Sequence, residues 1–209
     1  TGVMVAAKSD TAHYRLGWQF ERRTTDKAYL ALVHGRMETL ADVIDVPLGK
    51  HPTIRDRYAV RWDDTGKPST TVLRVREIYE DFTLVELELK TGRTHQIRVH
   101  LSHYGYPIAG DDYYGGRHLR IRDVVLNPAQ FGLSGADAVL ERQALHATLL
   151  AFDHPISRER VTHVAPLPPD LRRFVHLLRA TQFVHRPEIA GTMIDLDAVL
   201  ADPDDATGS

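Results

Sequence analysis

Cysteine is absent from the 209 residues, which excludes a disulfide scaffold, a thiolate nucleophile and thiolate metal sites, and makes a reducing, cytoplasmic setting the default. Long apolar runs are missing too. None approaches the roughly 20 residues of a membrane-spanning helix, and no charged-then-apolar leader opens the chain, so no membrane partner is expected. Gly-x-Ser-x-Gly, Gly-x-x-x-x-Gly-Lys-Ser/Thr and Gly-x-Gly-x-x-Gly do not occur. Their absence removes the serine-hydrolase elbow and two common nucleotide cradles. Charge of one sign fails only at the end: no Lys or Arg follows Arg186, while six acids do (Glu188, Asp195, Asp197, Asp202, Asp204, Asp205), so a net of −2 hides +4 on residues 1–186. That excess permits a polyanionic partner, and an ordinary enzyme surface with an acidic tail accounts for it equally well.

What is present suffices for one domain, since 43% of the residues are hydrophobic and a chain of this length can bury a sizeable core. Val3–Ala6 reads as a short buried strand. Ser9 can cap a helix with Ala12, Leu16 and Phe20 on one stripe. Tyr29–Val33 reads as a strand stopped by Gly35, and two more strands, Tyr58–Trp62 and Thr70–Ile78, flank the turn Asp63–Gly66. In Thr83–Lys90 the apolar Val85, Leu87 and Leu89 alternate with Glu86, Glu88 and Lys90, which predicts a strand with one wet face. Ala147–Phe152 is strand-like, and Pro168-Pro-Asp170 opens a helix bearing Leu171, Phe174, Val175 and Leu178. The mixture predicts an α+β domain on a mixed, mostly antiparallel sheet flanked by helices and loops.

The densest chemistry lies in Thr91-Gly-Arg-Thr-His-Gln-Ile-Arg-Val-His100. With Thr94 as cap, a helix would carry Ile97, Leu101 and Tyr104 on one face until Gly105, and its first amides, with Arg93 and His95 beside them, would suit an anion. Arg98 adjoins the apolar stripe, so its guanidinium is expected partly buried and in need of a carboxylate. An internal salt bridge to Glu86 or Glu88 meets that need; so would a functional partner. Among the 12 histidines, His95, His100 and His103 fall at i, i+5 and i+8, which sets His95 roughly 140° round the helix from His100. No metal site is expected. Asp111 reads as a turn residue in Gly110-Asp-Asp-Tyr-Tyr-Gly-Gly116, whose tyrosines could stack on bases or pack on their own domain. Tyr29 alone reads as core.

The segments Lys27-Ala-Tyr-Leu-Ala-Leu-Val-His-Gly35, Gly66-Lys-Pro-Ser-Thr70, Leu89 to Leu101, Gly105-Tyr-Pro-Ile-Ala-Gly-Asp111, Tyr114-Gly, Gln143-Ala-Leu-His-Ala147 and Phe152-Asp-His-Pro155 follow one another in an order that resembles the RluA family of pseudouridine synthases. The resemblance implies a cofactor-free isomerisation in which uracil leaves its ribose at N1 and is rejoined at C5. It implies an RNA substrate, large-subunit ribosomal RNA in this group, and a flipped-out uridine. Tyr29 matches the tyrosine that packs on the base, Arg98 the arginine that pairs with the nucleophilic aspartate, and Leu145 an apolar wall of the uracil pocket. Arg93, Thr94 and His95 would face RNA or support the site. In the family the nucleophile lies in a His-Arg-Leu-Asp-x-x-Thr-Ser/Thr-Gly motif, and Thr1-Gly2 matches only its last two residues. The expectation is therefore a monomeric catalytic domain, residues 1–186, that lacks its aspartate and is inactive alone, followed by an acidic, partly mobile tail over 187–209. A non-catalytic RNA-binding or ribosome-assembly module on the same fold is the alternative.

Overall fold

The strand expected at Tyr29–Val33 lies at the centre of the molecule. In the computed structural model, which describes residues 1–201, β1 (Asp26–His34) is paired along both edges. Its neighbours are β6 (Phe82–Leu89) and β9 (Leu145–Asp153). The sheet runs β10 (Arg160–Val164), β9, β1, β6, β5 (Thr70–Tyr79), β11 (Phe183–His185), with β2 (Ala41–Asp45) also on β5. Every strand pair in it is antiparallel. Two small ribbons stand apart, β3 (Leu48–Lys50) with β4 (Tyr58–Val60) and β7 (Leu119–Arg120) with β8 (Ala138–Leu140). The α+β expectation holds. Leu30, Ala31, Leu32 and Val33 are all buried, because layers cover both faces of β1, and Gly35 at φ +89° turns the chain out of the sheet.

Register assigns the faces. Tyr29 stands opposite Leu87 and Ala147, and Ala31 opposite Val85 and Leu145, so these six share one face; Leu30 and Leu32 share the other with Glu86 and Leu84. On the first face sit α1 (Asp10–Arg22), through Leu16 against Leu150 and Phe152, and α2 (Gln96–His103), through Gln96 on Thr71. The second face is covered by α3 (Pro169–Thr181), where Leu171, Phe174, Val175 and Leu178 are all buried. Burial of each of these side chains contributes roughly 1.5–3 kcal/mol.

The structure corrects four expectations. Val3–Ala6 forms no strand; Val3 and Val5 instead pack with Leu16, and the only pairing there is the bridge of Gly2 to Ala147 among the described residues. Ser9 does cap α1, accepting from the Ala12 amide at 3.3 Å, but Phe20 faces out. The third inward position belongs to Gln19, whose side-chain amide exchanges two 2.8 Å bonds with the Asp153 backbone. The strand expected at Tyr58–Trp62 covers only Tyr58–Val60 and turns back onto β3, while the strand expected at Thr70–Ile78 forms as β5 and takes β6.

The fourth concerns β6, which has no wet face. Glu86 is 0% exposed and pairs with Arg76, while Arg74 reaches Glu88 at 3.1 Å. The chain after β11 lies over Glu86 and passes Arg74 at Gly191: the Met193 amide donates to Glu86 at 2.5 Å, the Ile194 carbonyl accepts from Arg76 at 2.8 Å, and Ile194, Leu196, Val199 and Leu200 are buried. Asp195 caps α4 (Leu196–Leu200), and Asp197 accepts two bonds from Arg186. Residues 187–201 are thus the outer layer over the second face. Asp202, Asp204 and Asp205, where a mobile end was expected, lie outside the described residues. Replacing Glu86 by Ala strands the Arg76 guanidinium beneath that layer, and a loss of about 3–5 kcal/mol is expected in urea unfolding; a loss below 1 kcal/mol would mean that the pair does not hold the layer.

Candidate active site

The run Thr91–His100 is organised by Gln96 and not by Thr94. The side-chain oxygen of Gln96 accepts from the Arg93 amide at 2.9 Å and the Thr91 hydroxyl at 2.8 Å, and its nitrogen donates to the Thr70 carbonyl and the Thr71 hydroxyl, both at 3.0 Å. One buried amide therefore closes the turn and pins it to β5. Thr94 is exposed and caps nothing. The cap position is held by His95 in a left-handed backbone, φ +56°, with no capping side chain, because its ring is engaged elsewhere. Its Nδ1 lies 2.7 Å from the Tyr114 hydroxyl, which accepts from the Tyr58 amide at 3.0 Å. Burial first, then the Arg98 charge, lowers the His95 pKa, so the neutral ring accepts from the phenol.

Arg98 has its carboxylate, and it is neither Glu86 nor Glu88. Asp111, 1% exposed, accepts from Nε at 2.7 Å and from Nη2 at 2.6 Å. This fork-to-fork geometry fixes the guanidinium plane. The Tyr114 ring lies 4.7 Å from its centre and the Tyr113 ring 5.7 Å. The bond to Asp111 raises the pKa of Arg98 further. Asp111, read from sequence as a turn residue, is also the buried half of an ion pair. Its loop is tied to the sheet: the Ala109 amide donates to Leu32 at 2.9 Å, and Ala109 accepts from Ala144 at 2.8 Å. Gly110 and Gly116 are required there, since a Cβ on either would overlap the backbone of Arg142 or of Ile108.

Leu145, next to Ala144, is half-buried on the Tyr29 face. Burial raises the Tyr29 phenol above its ordinary pKa, so it is protonated at neutral pH. Gly92 passes close by Lys27, two residues before Tyr29, for a Cβ there would meet Lys27 Nζ at 3.8 Å. Burial and then Arg23 lower that ammonium's pKa. The front of the chain arrives at the same place. Ala147, opposite Tyr29, donates to the Thr1 carbonyl at 3.0 Å and accepts from Val3 at 2.8 Å, while Thr1 Oγ1 lies 2.9 Å from His146 Nδ1. Gly2 permits this approach, because a Cβ would sit inside the Ala147 peptide. Tyr29 and Leu145 thus share the sheet face on which α2 lies, with the turn of Arg93 and the Arg98–Asp111 pair at that helix, while Thr1 reaches the backbone of Ala147 opposite Tyr29.

Beside them run two adjoining hollows of ≈ 560 and ≈ 770 Å³, with Arg93 and Thr94 on the walls of the first and Thr94 and His95 on those of the second. Lys50, Arg57, Arg61 and Lys67 line them. Of these, Arg61 is neutralised by Asp63, and Arg57 stacks on Tyr113 at 4.2 Å. Sequence reading missed this groove: its cations are interleaved with Asp56, Asp63 and Asp64, and only the β3–β4 ribbon brings them to one wall. Gln96 was missed as well, because a glutamine inside a helix-forming run carries no signal of its own.

Asp111→Ala is expected to cost about 3–5 kcal/mol in urea unfolding, and Arg98→Met combined with it less than the sum, since removing both ends strands no charge. Full additivity would refute the pairing. His100 is 0% exposed, and burial lowers its pKa to about 4, with Val46 and Asp45 pulling it partly back. The unfolded chain therefore takes up its proton near the ordinary value of 6.5 and the folded chain only near 4. Stability is full above about 6.5 and falls as pH drops toward 4, by at most about 1.4 kcal/mol per pH unit from this residue. His100→Gln should flatten that slope, and an unchanged slope between pH 7 and 5 would place the acid sensitivity elsewhere.

Comparison with known proteins agrees with this geometry. Residues 1–103 match the family model described as RNA pseudouridylate synthase. The "Uncharacterized RNA pseudouridine synthase YlyB" of Bacillus subtilis is 39% identical over 179 residues, 86% of this chain and 52% of that protein. The "Ribosomal large subunit pseudouridine synthase D" of Escherichia coli K12 is 38% identical over 189 residues, 90% of this chain and 56% of the other. The chain spans about half the length of these curated relatives. Among solved structures, "Human RNA Pseudouridylate Synthase Domain Containing 1" aligns with a TM-score of 0.63 at 28% identity over 94% of this chain and 74% of its own. "Human RNA Pseudouridylate Synthase Domain Containing 4" aligns at 0.68 and 25% identity over 85% and 71%. By its motifs, its fold and these relatives, the chain belongs to the RNA pseudouridine synthase family.

Proposed function

We propose that this chain is the larger part of a catalytic domain that converts uridine to pseudouridine in structured RNA, with large-subunit ribosomal RNA as substrate. The observation that carries the proposal is that Tyr29 and Leu145 share the sheet face covered by the helix of the Arg98–Asp111 pair, while the front of the chain is bonded to Ala147 opposite Tyr29. Gly2 pairs with Ala147 in the parallel sense, so residues ahead of Thr1 continuing that bridge run toward Leu145. A carboxylate a few residues ahead would be delivered beside Tyr29, where a flipped uracil would lie between the phenol and the Leu145 side chain.

Each group then has a task. The carboxylate attacks as the nucleophile, and Arg98 would orient it while Asp111 holds the guanidinium plane. The Tyr29 phenol, neutral because burial raises its pKa, packs on the base and is placed to relay the proton that C5 gives up. Arg93, Thr94 and His95 contact the RNA, and the groove of Lys50, Arg57 and Lys67 meets phosphates beside the flipped nucleotide, an attraction that weakens with salt. No cofactor enters. Residues 1–186, with residues 187–201 laid over their sheet, form the synthase domain, working as a monomer in the cytoplasm, and no described helix is long and apolar enough to cross a membrane. The groove would equally serve a module that binds RNA without catalysis, so activity decides between them.

Tritium release from C5-labelled uridine in a ribosomal RNA transcript is the test. Residues 1–209 alone are expected to release none, and the same chain extended at its front by the family's His-Arg-Leu-Asp motif is expected to release it. Tyr29→Phe in the extended chain should lower turnover by about 10²–10⁴-fold. Release by residues 1–209 alone would overturn the assignment of the nucleophile, and RNA binding without release by the extended chain would favour the non-catalytic module.

A further inference from the structure

A second recess, of ≈ 420 Å³, opens between α1 and the turn joining β9 to β10, on residues the proposed reaction does not use. One wall is aromatic. Tyr14 and Trp18 lie one helical turn apart, 76% and 48% exposed, although the core contacts of α1 are made by Leu16 and Gln19. The Arg22 guanidinium sits 5.4 Å from the Trp18 ring centre, continuing the same row at i+8. Nothing in the described fold needs two large rings in water there. Exposed aromatic surface rimmed by polar groups marks a binding surface.

The opposite wall is rigid. The His154 amide donates to Glu159 at 2.7 Å and its carbonyl accepts from Arg158 at 2.9 Å, which holds Arg158 in a left-handed backbone at φ +67° without a glycine. His154 Nδ1 accepts from the Ser157 amide at 3.1 Å, which leaves Nε2 as the ring's other hydrogen-bonding atom. Across the gap, Arg15 donates to the Pro155 carbonyl at 2.6 Å and Gln19 is locked on Asp153. Asp153 is the carboxylate lining the recess, and Arg160 stands 3.3 Å from it. The volume lies in the range of small-ligand sites.

We infer that this recess takes one unpaired nucleotide of an RNA strand, its base stacked on Trp18 and Tyr14 and its phosphate met by Arg158. Trp, Tyr and Arg also anchor protein partners. A protein hot spot has a polar rim as well, and here the sign of that rim favours a polyanion, since Arg15, Arg22 and Arg158 surround these rings and Asp153 is the one carboxylate among the described residues that line the recess. That composition, π-faces inside a guanidinium rim, is how single strands are held with little regard to sequence. The inference rests on the reading that the chain works on RNA. It adds a contact for a strand that leaves the structured substrate, and it predicts that an unpaired flank strengthens binding.

The test is fluorescence anisotropy of labelled hexauridylate and hexa-adenylate with residues 1–209. Trp18→Ala is expected to weaken both by about 5- to 100-fold, Trp18→Phe to restore most of the loss, and Arg158→Gln to reduce the salt slope by about 0.7. The phenylalanine and Arg158 variants keep the test sharp should Trp18→Ala unfold. If Trp18→Ala and Arg158→Gln bind as well as the wild type while Arg57→Gln does not, the recess carries no RNA, and the inference falls although the RNA reading stands. If the wild type binds neither these strands nor structured RNA, both fall together. A concentration-dependent dimer in gel filtration that Trp18→Ala dissolves would give the recess to a second copy and overturn the inference.

Discussion

A guanidinium and a carboxylate, both largely withdrawn from water, fix the geometry on which the site depends. Arg98 comes from α2 and Asp111 from the loop after it, and their two parallel bonds make the helix and the loop one body. That loop is stitched to β1 through Leu32 and to the residue before Leu145. The pair therefore transmits the position of the central strands to the helix that carries Arg98. A single charge in that setting would be costly. The pair makes it affordable, and a planar fork specifies orientation as a lysine could not.

The same logic recurs on the other face. Glu86 and Glu88 sit at strand positions where water would be the simple solution, and instead meet Arg76 and Arg74 beneath residues 187–201. Glu77, likewise buried, accepts from Arg179 of α3. Two buried carboxylates, Glu86 and Glu77, and the half-buried Glu88 thus each meet an arginine. The acidic end of the chain uses Asp195 as a helix cap and Asp197 as a partner for Arg186. Its negative charge is in part structural.

Much of the fold was legible. Strands at Tyr29–Val33 and Ala147–Phe152 and the helix face of Leu171, Phe174, Val175 and Leu178 follow from periodicity, because burial enforces that periodicity. The strand at Thr83–Lys90 was found and its environment misread, for alternation reports which residues share a face and not what covers it. Thr94 had the chemistry of a cap and lost the position to His95, whose ring is bound to Tyr114 across 19 residues. Asp111 was hidden by its own suitability for a turn. What local pattern could not reach is long-range pairing: the partner of Arg98, the two bonds of Gln19 to Asp153, and the cations assembled by β3 and β4.

The central position of β1 has a consequence for the chain as it is made. Its first neighbour, β6, follows within about fifty residues, but β9 begins at Leu145, so one edge of this buried strand leaves the ribosome unpaired. At 5–20 residues per second the edge of Leu30, Ala31 and Leu32 stays open for several seconds after β6 has docked. Such an edge is a template for wrong partners. Chaperone dependence and aggregation during synthesis should therefore track the arrival of β9, so that a translational pause shortly before Leu145 would be more harmful than one placed after Asp153.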